Sequence, residues 1–470
     1  MQEVQPMTLD RDDFNAISHA AGITPSQSDI QFVGDGDPIY PSPLRLASGV
    51  STLLGNIAGV VDDIRHKQTG QRQTAQIHMG QAAVGISSMW VLKVNGVNAL
   101  ESMPDSLAPG QGIFPTRDGR YLYLLGGFPH IVERTFEVLG CTYGNVTEHV
   151  ASRDSADLEA KLIDAQLPGV VVKSPEEWLA HPQGKLLADS PAVIIERIGD
   201  APAKPIPGGD LPLNGVRVID NTKVLAGPTI SRTLAALGAD ALHIGAPGVA
   251  DMQAAQADTG HGKRRAHVDF DTDEGKDTIW NLIDEADIFS QSYRARSLAR
   301  RGLSPEALAE RRPGIIYISE NAYGQFGPWQ EKRGFDGNVQ AATGIHHVQQ
   351  KDLTNMMGTG PAIALNDYGT GYWGAYGALE ALRRRSIEGG SWHVKVALGQ
   401  TAAWFLRLGT PHSIEDADPD EGYRLADKYS EDVDSDYGTL TRLSFPIHFS
   451  DITPKWGRTV KPGSHEAVWQ

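Results

Sequence analysis

The sequence predicts an α/β protein, a doubly wound, Rossmann-like parallel sheet accompanied by a smaller α+β domain. Three observations carry that prediction. After Gly215, strand-like and helix-like segments alternate, as a parallel sheet with crossover helices requires. A Pro- and Gly-rich stretch, APAKPIPGGDLPLNG at residues 201–215, precedes the alternation and reads as an inter-domain linker. The chain has 470 residues, 40% hydrophobic and 21% charged, an ordinary globular composition with core enough for two or three domains.

Taken in order, GVRVID reads as a buried strand, NTKVLAGP as a loop, TISRTLAALGA as a helix capped by Gly238, and ADALHIGAP as the next strand. TDEGKDTIWNLIDEA (helix), DIFSQSY (strand), SPEALAERR (helix) and GIIYISENAY (strand) continue the pattern. Ahead of the linker lie a helix at 49–66, the strand DGRYLYLLGG, the helix PHIVERTFEVLG, and an alternation ending in SPEEWLAHPQGK. These readings divide the chain into units at 1–205 and 206–470.

The formal net charge of −16 and pI near 5.4 disfavour nucleic acid and anionic membranes as partners. Cys141 is the single cysteine, so neither a disulfide framework nor a thiolate metal cluster is expected. The first residues lack a signal-peptide pattern and no apolar run approaches a membrane span, so a cytoplasmic location is expected.

Residues 46–83 and 365–402 echo one another without a gap, 319 residues apart. Gly55 aligns with Gly374, Arg65 with Arg384, Gly70 with Gly389, and Gly80-Gln81 with Gly399-Gln400. The period is too long for a solenoid and marks a domain-level duplication. At the start of the echoed helix the second copy carries Asp367 where the first carries Ser48. That difference points to one working site and one structural relic.

Open α/β sheets bind ligands where a strand hands over to its helix, because helix N–H groups point there. Here that loop is Asn221–Pro228, and without G-x-G-x-x-G it carries no nicotinamide or flavin fingerprint. Gly227-Pro228 reads as turn and helix-start chemistry as readily as it reads as part of a ligand loop. Basic residues gather at Lys263-Arg264-Arg265, at Arg294, Arg296, Arg300 and Arg301, and at Lys332-Arg333. Grouped after successive strands they suit a phosphate-bearing cofactor, and taken singly they read as solvated charge. Asp367, just before an apolar helix, is either an N-cap or a nucleophile held ionised by the helix terminus. Gly369 and Gly371 would let a substrate carbonyl approach the backbone, and Tyr368, Tyr372 and Trp373 would wall an acyl pocket or fill core. His261 and His346-His347 lack metal spacing, so no metal is expected, and no G-x-S-x-G elbow marks an α/β-hydrolase.

LNGVRVIDNTKVLAGPTISRTLAALGADALHI, GKRRAHVDFDTDEGKD, the run from ADIFSQSY to GQFGPW, RGFDGNVQAATG and ALNDYGTG resemble class III CoA-transferases of the formyl-CoA, carnitine and bile-acid type, over about residues 212–402. RHKQTGQRQTAQIHMGQAA, GIFPTRDGRYLYLLGG and VVVKSPEEWLAHPQG resemble the same family's second half, and SFPIHFSDITPKWGRTVKPGSHEAVW its C-terminal tail. The resemblance implies a duplicated, rearranged domain order, with the nucleophile position lost in residues 1–205, and an interlocked homodimer. It implies transfer of CoA from an acyl-CoA donor to a carboxylic acid acceptor through a covalent intermediate on Asp367. Coenzyme A would meet Val224, Leu225 and Ala226 in the first loop and Lys263, Arg264 and Val268 at its nucleotide end. Tyr293, Arg300, Arg333 and Phe335 match further contacts. Three departures stand out. The family's arginine after the second strand is missing from Ile244-Gly245-Ala246-Pro247, its asparagine before Lys263 is Gly262, and its glycine-rich lid has only Pro109-Gly110-Gln111-Gly112 as counterpart. Racemases of the family place a histidine base directly before the position of Asp336. Here that residue is Phe335, which cannot accept a proton, so racemase chemistry is disfavoured. A non-catalytic CoA-binding or scaffolding protein is the alternative from another class.

Overall fold

The computed structural model describes residues 9–103, 111–248, 251–294, 297–350, 352–353 and 362–470. Its centre is a seven-stranded sheet in the order Arg264–His267, Asp240–Gly245, Arg217–Asn221, Ile288–Gln291, Ile316–Asn321, Ser391–Ala397 and Val193–Gly199. The first six run parallel. Their inner residues, such as Val218, Ile219, Ile316, Ile318, Val394 and Val396, are fully buried, as expected of parallel strands covered on both faces. The seventh strand runs antiparallel to Ser391–Ala397 and comes from before the 201–215 stretch. The large sheet is therefore mixed, mostly parallel, and accompanied by smaller sheets.

Three smaller sheets complete the architecture. Ile30–Val33 pairs with Ala75–His78, which pairs with Ile447–Phe449. Ser430–Ser435 and Gly438–Leu443 continue onto Lys93–Val94 and Val97–Asn98. Gly112–Pro115, Tyr121–Leu124 and Val170–Val171 form the third. Two of the three thus join strands from before residue 100 to strands after residue 429, and one apolar core runs from Leu9 to Trp456.

The 201–215 stretch is a strap tied to its surroundings. Gly390 N–H donates to the Ala201 carbonyl at 2.9 Å, Lys204 Nζ meets Asp287 at 2.6 Å, and Gln68 Nε2 donates to the Pro212 carbonyl at 3.0 Å. Pro and Gly exclude regular ladders, and here neighbouring groups satisfy the backbone instead. The alternation before the strap ends in two short helices, Pro175–Ala180 and Pro182–Ala188. A Ser174–Glu177 capping box and a proline in each first turn nucleate them.

The echoed segments are structural equivalents. Leu46–Thr69 and Leu365–Glu388 are both helices of 24 residues, and the 319-residue spacing relates both of their ends. They pack against each other. Each receives a carboxylate at its first turn: Ala47 and Ser48 N–H donate to Asp37 at 2.6 and 2.9 Å, and Asn366 and Asp367 N–H to Asp336 at 2.7 and 2.9 Å. On the second helix, a Cβ at Gly371 would stand 2.5 Å from Thr229 and one at Gly374 would stand 2.4 Å from Ile230. The missing side chains let the Ala226–Ala236 helix close in. The sequence-based assignment of Gly371 to substrate approach is corrected accordingly: the space serves helix packing. Gly369 likewise faces Thr401, at 2.8 Å from its would-be Cβ.

Candidate active site

Asp367 lies inside the first turn of Leu365–Glu388. Ala364 occupies the cap position, with no side-chain cap bond. The capping carboxylate comes instead from Asp336, the first residue of the Asp336–Thr343 helix. The N-cap reading of Asp367 is thereby corrected, since among the described residues no backbone N–H donates to its side chain. Gln340 Nε2 holds the other Asp336 oxygen and also donates to the Ile363 carbonyl at 3.2 Å.

Three carboxyl groups share this buried place. Burial pushes Asp336 up to about 6, against the hydrogen bonds from Gln340 and the two N–H groups. Burial first, then the neighbouring Asp336 and Glu320 carboxylates, hold Asp367 well above the usual carboxylate range. Burial alone pushes Glu320, near the end of Ile316–Asn321, up to about 8. Like charges this close cannot all ionise, so the group retains protons near neutral pH and titrates as a unit.

Asp367 stands where two cavities meet. Both are also lined by Val224, Phe128 and Phe335. The larger, about 420 Å³, is walled mainly by apolar side chains including Met89, Trp90, Leu125, Leu225, Met252 and Ile363. The smaller, about 330 Å³, carries Lys223, Arg294, Lys332 and Arg333, with Tyr293, Asp251 and Glu320. Burial lowers Lys332 to about 8, and lowers Lys223 and Arg333 from their ordinary values. Neither Lys223 nor Arg333 has a carboxylate within ion-pair distance among the described residues. Desolvated, unneutralised cations are the electrostatic complement of a phosphate-bearing ligand. Val224 holds φ at +66°, a left-handed conformation that a β-branched residue adopts only under constraint, and it lies in the strand-to-helix loop between the cavities.

The residues singled out from sequence separate into two groups. Val224, Leu225, Ala226, Tyr293, Arg333 and Phe335 line one or both cavities beside Asp367. Lys263, Arg264, Val268 and Arg300 line neither. Lys263 is buried and spends its ammonium on Asp220 at 2.8 Å and the Pro228 carbonyl at 2.7 Å. Arg264 is bidentate to Asp240, at 3.0 Å for each contact, and lies near the Trp469 ring. Val268 fills apolar core and Arg300 is exposed. Arg296, Pro109 and Gly110 fall outside the described residues, while Gln111 lines the larger cavity. Tyr368, Tyr372 and Trp373 prove to be core. The Tyr368 hydroxyl donates to Asp258 at 2.8 Å, and Trp373 packs edge-on to Trp404.

Sequence reasoning assigned no role to Asp336, Glu320, Lys223 or the Gly126-Gly127-Phe128 turn. Glu320 did leave a signal, being a lone carboxylate inside the apolar strand IIYISEN. Asp336 left none, because the two backbone N–H groups that it caps lie 30 and 31 residues away. The Gly126–Phe128 turn follows the Tyr121–Leu124 strand, so the first 205 residues supply part of the wall around Asp367.

Residues 213–424 match the family described as CoA-transferase family III. The chain is 27% identical over 434 residues to an acetyl-coenzyme A transferase of Hypoxylon pulicicidum, covering 81% of this chain and 72% of that one. It is 31% identical over 182 residues to a succinyl-CoA:glutarate CoA-transferase of Homo sapiens, covering 36% and 41%. A crystal structure of a CAIB/BAIF family protein from Brucella suis matches at 28% identity and a TM-score of 0.37, over 42% of this chain and 55% of that one. This chain thus spans about half the length of that solved relative. The match to CoA-transferase family III lies in residues 213–424, somewhat under half of the chain. Among the described residues, no helix is long and apolar enough to cross a membrane.

Proposed function

We propose that this chain moves CoA from an acyl-CoA donor to a carboxylic acid acceptor, with Asp367 as nucleophile. One observation carries the reading: a buried carboxyl at the junction of an apolar cavity and a cavity lined by four basic side chains, two of which, Lys223 and Arg333, lack an ion-pair partner among the described residues. The basic cavity suits the phosphates of coenzyme A and the apolar one its acyl group. The thioester carbonyl then lies over Asp367, with Val224, Leu225 and Ala226 beside it. Ionised Asp367 attacks that carbon, the C–S bond breaks, and the products are a mixed anhydride and CoA thiolate. The proton that Asp367 must shed stays within the carboxyl group, on Asp336 or Glu320. The acceptor carboxylate attacks the Asp367 carbonyl of that anhydride and expels the donor acid, and the CoA thiolate then attacks the acceptor carbonyl of the new anhydride, forming the acceptor thioester and freeing the Asp367 carboxylate.

Phe335 packs at a tilt against Phe128, with ring centroids 5.1 Å apart, where a racemase of this type would carry its base. That contact favours acyl transfer over proton abstraction. Two further parts of the proposal concern the chain as a whole. A duplicated, rearranged order is supported by the matched 24-residue helices and their matched carboxylates. In the homodimer, each chain would carry its own Asp367 site walled by its own Gly126–Phe128 turn. The test is direct. Incubation with acyl-CoA donors, hydroxylamine or borohydride trapping, and peptide mass spectrometry should mark Asp367, and Asp367→Asn should reduce turnover by several orders of magnitude. Near-normal activity in a folded Asp367→Asn protein would sink the mechanism.

A further inference from the structure

The cavity assigned to the acyl group differs sharply in charge from its neighbour. Among its described lining residues there is no lysine or arginine, and the ionisable groups are Asp336, Asp367, Tyr123 and His346. Burial lowers His346, against the hydrogen bond that its Nε2 makes with the Leu353 carbonyl at 3.0 Å, and so disfavours the charged ring. Burial also raises the Tyr123 phenol, which therefore keeps its proton. A second carboxylate on the acyl group would be desolvated here with no lysine or arginine among the described lining residues to meet it, beside a carboxyl cluster that already resists ionising. Four cations line the adjoining cavity, and among the described residues they lie on that side of Asp367 alone.

The polar groups of the cavity are neutral hydrogen-bonding ones. The Asp336–Thr343 helix carries the wall away from Asp367, by about 10 Å at 1.5 Å per residue. The Ile345–Gln349 helix follows it. There Gln349 is 8% exposed and its Nε2 has no hydrogen-bond partner among the described residues. A buried amide left unpaired costs about 1–3 kcal/mol, so a ligand oxygen reaching it would be selected.

We infer that the acyl group carried by this chain is neutral, an apolar chain with a hydroxyl or keto oxygen for Gln349, and that dicarboxylic acyl groups are rejected. The inference rests on the proposed role of Asp367 and on the apolar cavity as the acyl site. Donor kcat/KM measured with octanoyl-CoA, a hydroxyoctanoyl-CoA, succinyl-CoA and glutaryl-CoA tests it, alongside mass spectrometry of Asp367 for each donor. The neutral donors should exceed the dicarboxylic ones by at least about tenfold, and hydroxyoctanoyl-CoA should exceed octanoyl-CoA. Gln349→Leu should shrink the hydroxy-over-plain preference about fivefold, and Gln349→Arg should narrow the gap between glutaryl-CoA and octanoyl-CoA. Succinyl-CoA or glutaryl-CoA used better than octanoyl-CoA, with Asp367 labelled, would overturn the neutral-acyl inference alone. A hydroxy preference unmoved by Gln349→Leu would overturn the role of Gln349. No labelling of Asp367 by any donor would overturn the reading of Asp367 on which the inference stands.

Discussion

Asp336→Asn separates the electrostatics of the carboxyl group from its packing. The replacement is isosteric, keeps an oxygen for the Asn366 and Asp367 N–H groups, and lets Gln340 turn its own oxygen toward the new amide. In the native protein burial raises Asp336 from 3.8 to about 6. The folded state therefore holds a proton that the unfolded chain releases. The resulting stabilisation is complete below about pH 3.8 and is lost as pH rises through about 6. At about 1.4 kcal/mol per pH unit, that loss is about 3 kcal/mol. Asparagine does not titrate, so the variant should gain about 2.4 kcal/mol of this relative to wild type between pH 4 and pH 7, whatever offset the two proteins show at pH 4. Removing the Asp336 charge also removes one of the causes that hold Asp367 up, so the acid limb of kcat/KM should move to lower pH. Urea unfolding at half-unit pH steps and a pH–rate profile read both effects. Parallel stability curves together with an unmoved acid limb would refute the coupled-carboxyl argument.

Arg333→Ala removes an unneutralised cation from the basic cavity and should raise the CoA dissociation constant about tenfold, one charged contact contributing about 1.5–3 kcal/mol. Arg264→Ala breaks the Asp240 pair and should lower stability with CoA affinity within about twofold; isothermal titration distinguishes the two. Gly371→Ala forces a methyl against Thr229 and the Ala226 carbonyl, and thermal unfolding should register a loss of about 1–3 kcal/mol. Residues 212–470 expressed alone should aggregate, because the strands after residue 429 pair with Ala75–His78 and Lys93–Val94. A soluble, monomeric, active fragment would contradict that, and light scattering on the intact chain reads the proposed homodimer.

The sequence by itself determined what short-range pattern controls. GVRVID, ADALHIGAP, DIFSQSY and GIIYISENAY are strands because runs of apolar residues bounded by turn residues satisfy a parallel sheet wherever it forms. The echo located the Leu365–Glu388 helix and set Asp367 apart from Ser48, since both are visible as identity at a fixed spacing. Only the tertiary structure decided which polar groups meet. Lys263 and Arg333 are alike as letters in a basic run. The first is consumed by Asp220, 43 residues away in the chain, and the second faces a cavity. Asp336 reaches the turn that bears Asp367 across 31 residues, and the final large-sheet strand, Val193–Gly199, pairs with a segment nearly 200 residues later. Local propensity has a range of a few residues. The partner of a buried charge depends on which elements the core brings together, and burial then makes that choice worth several kcal/mol.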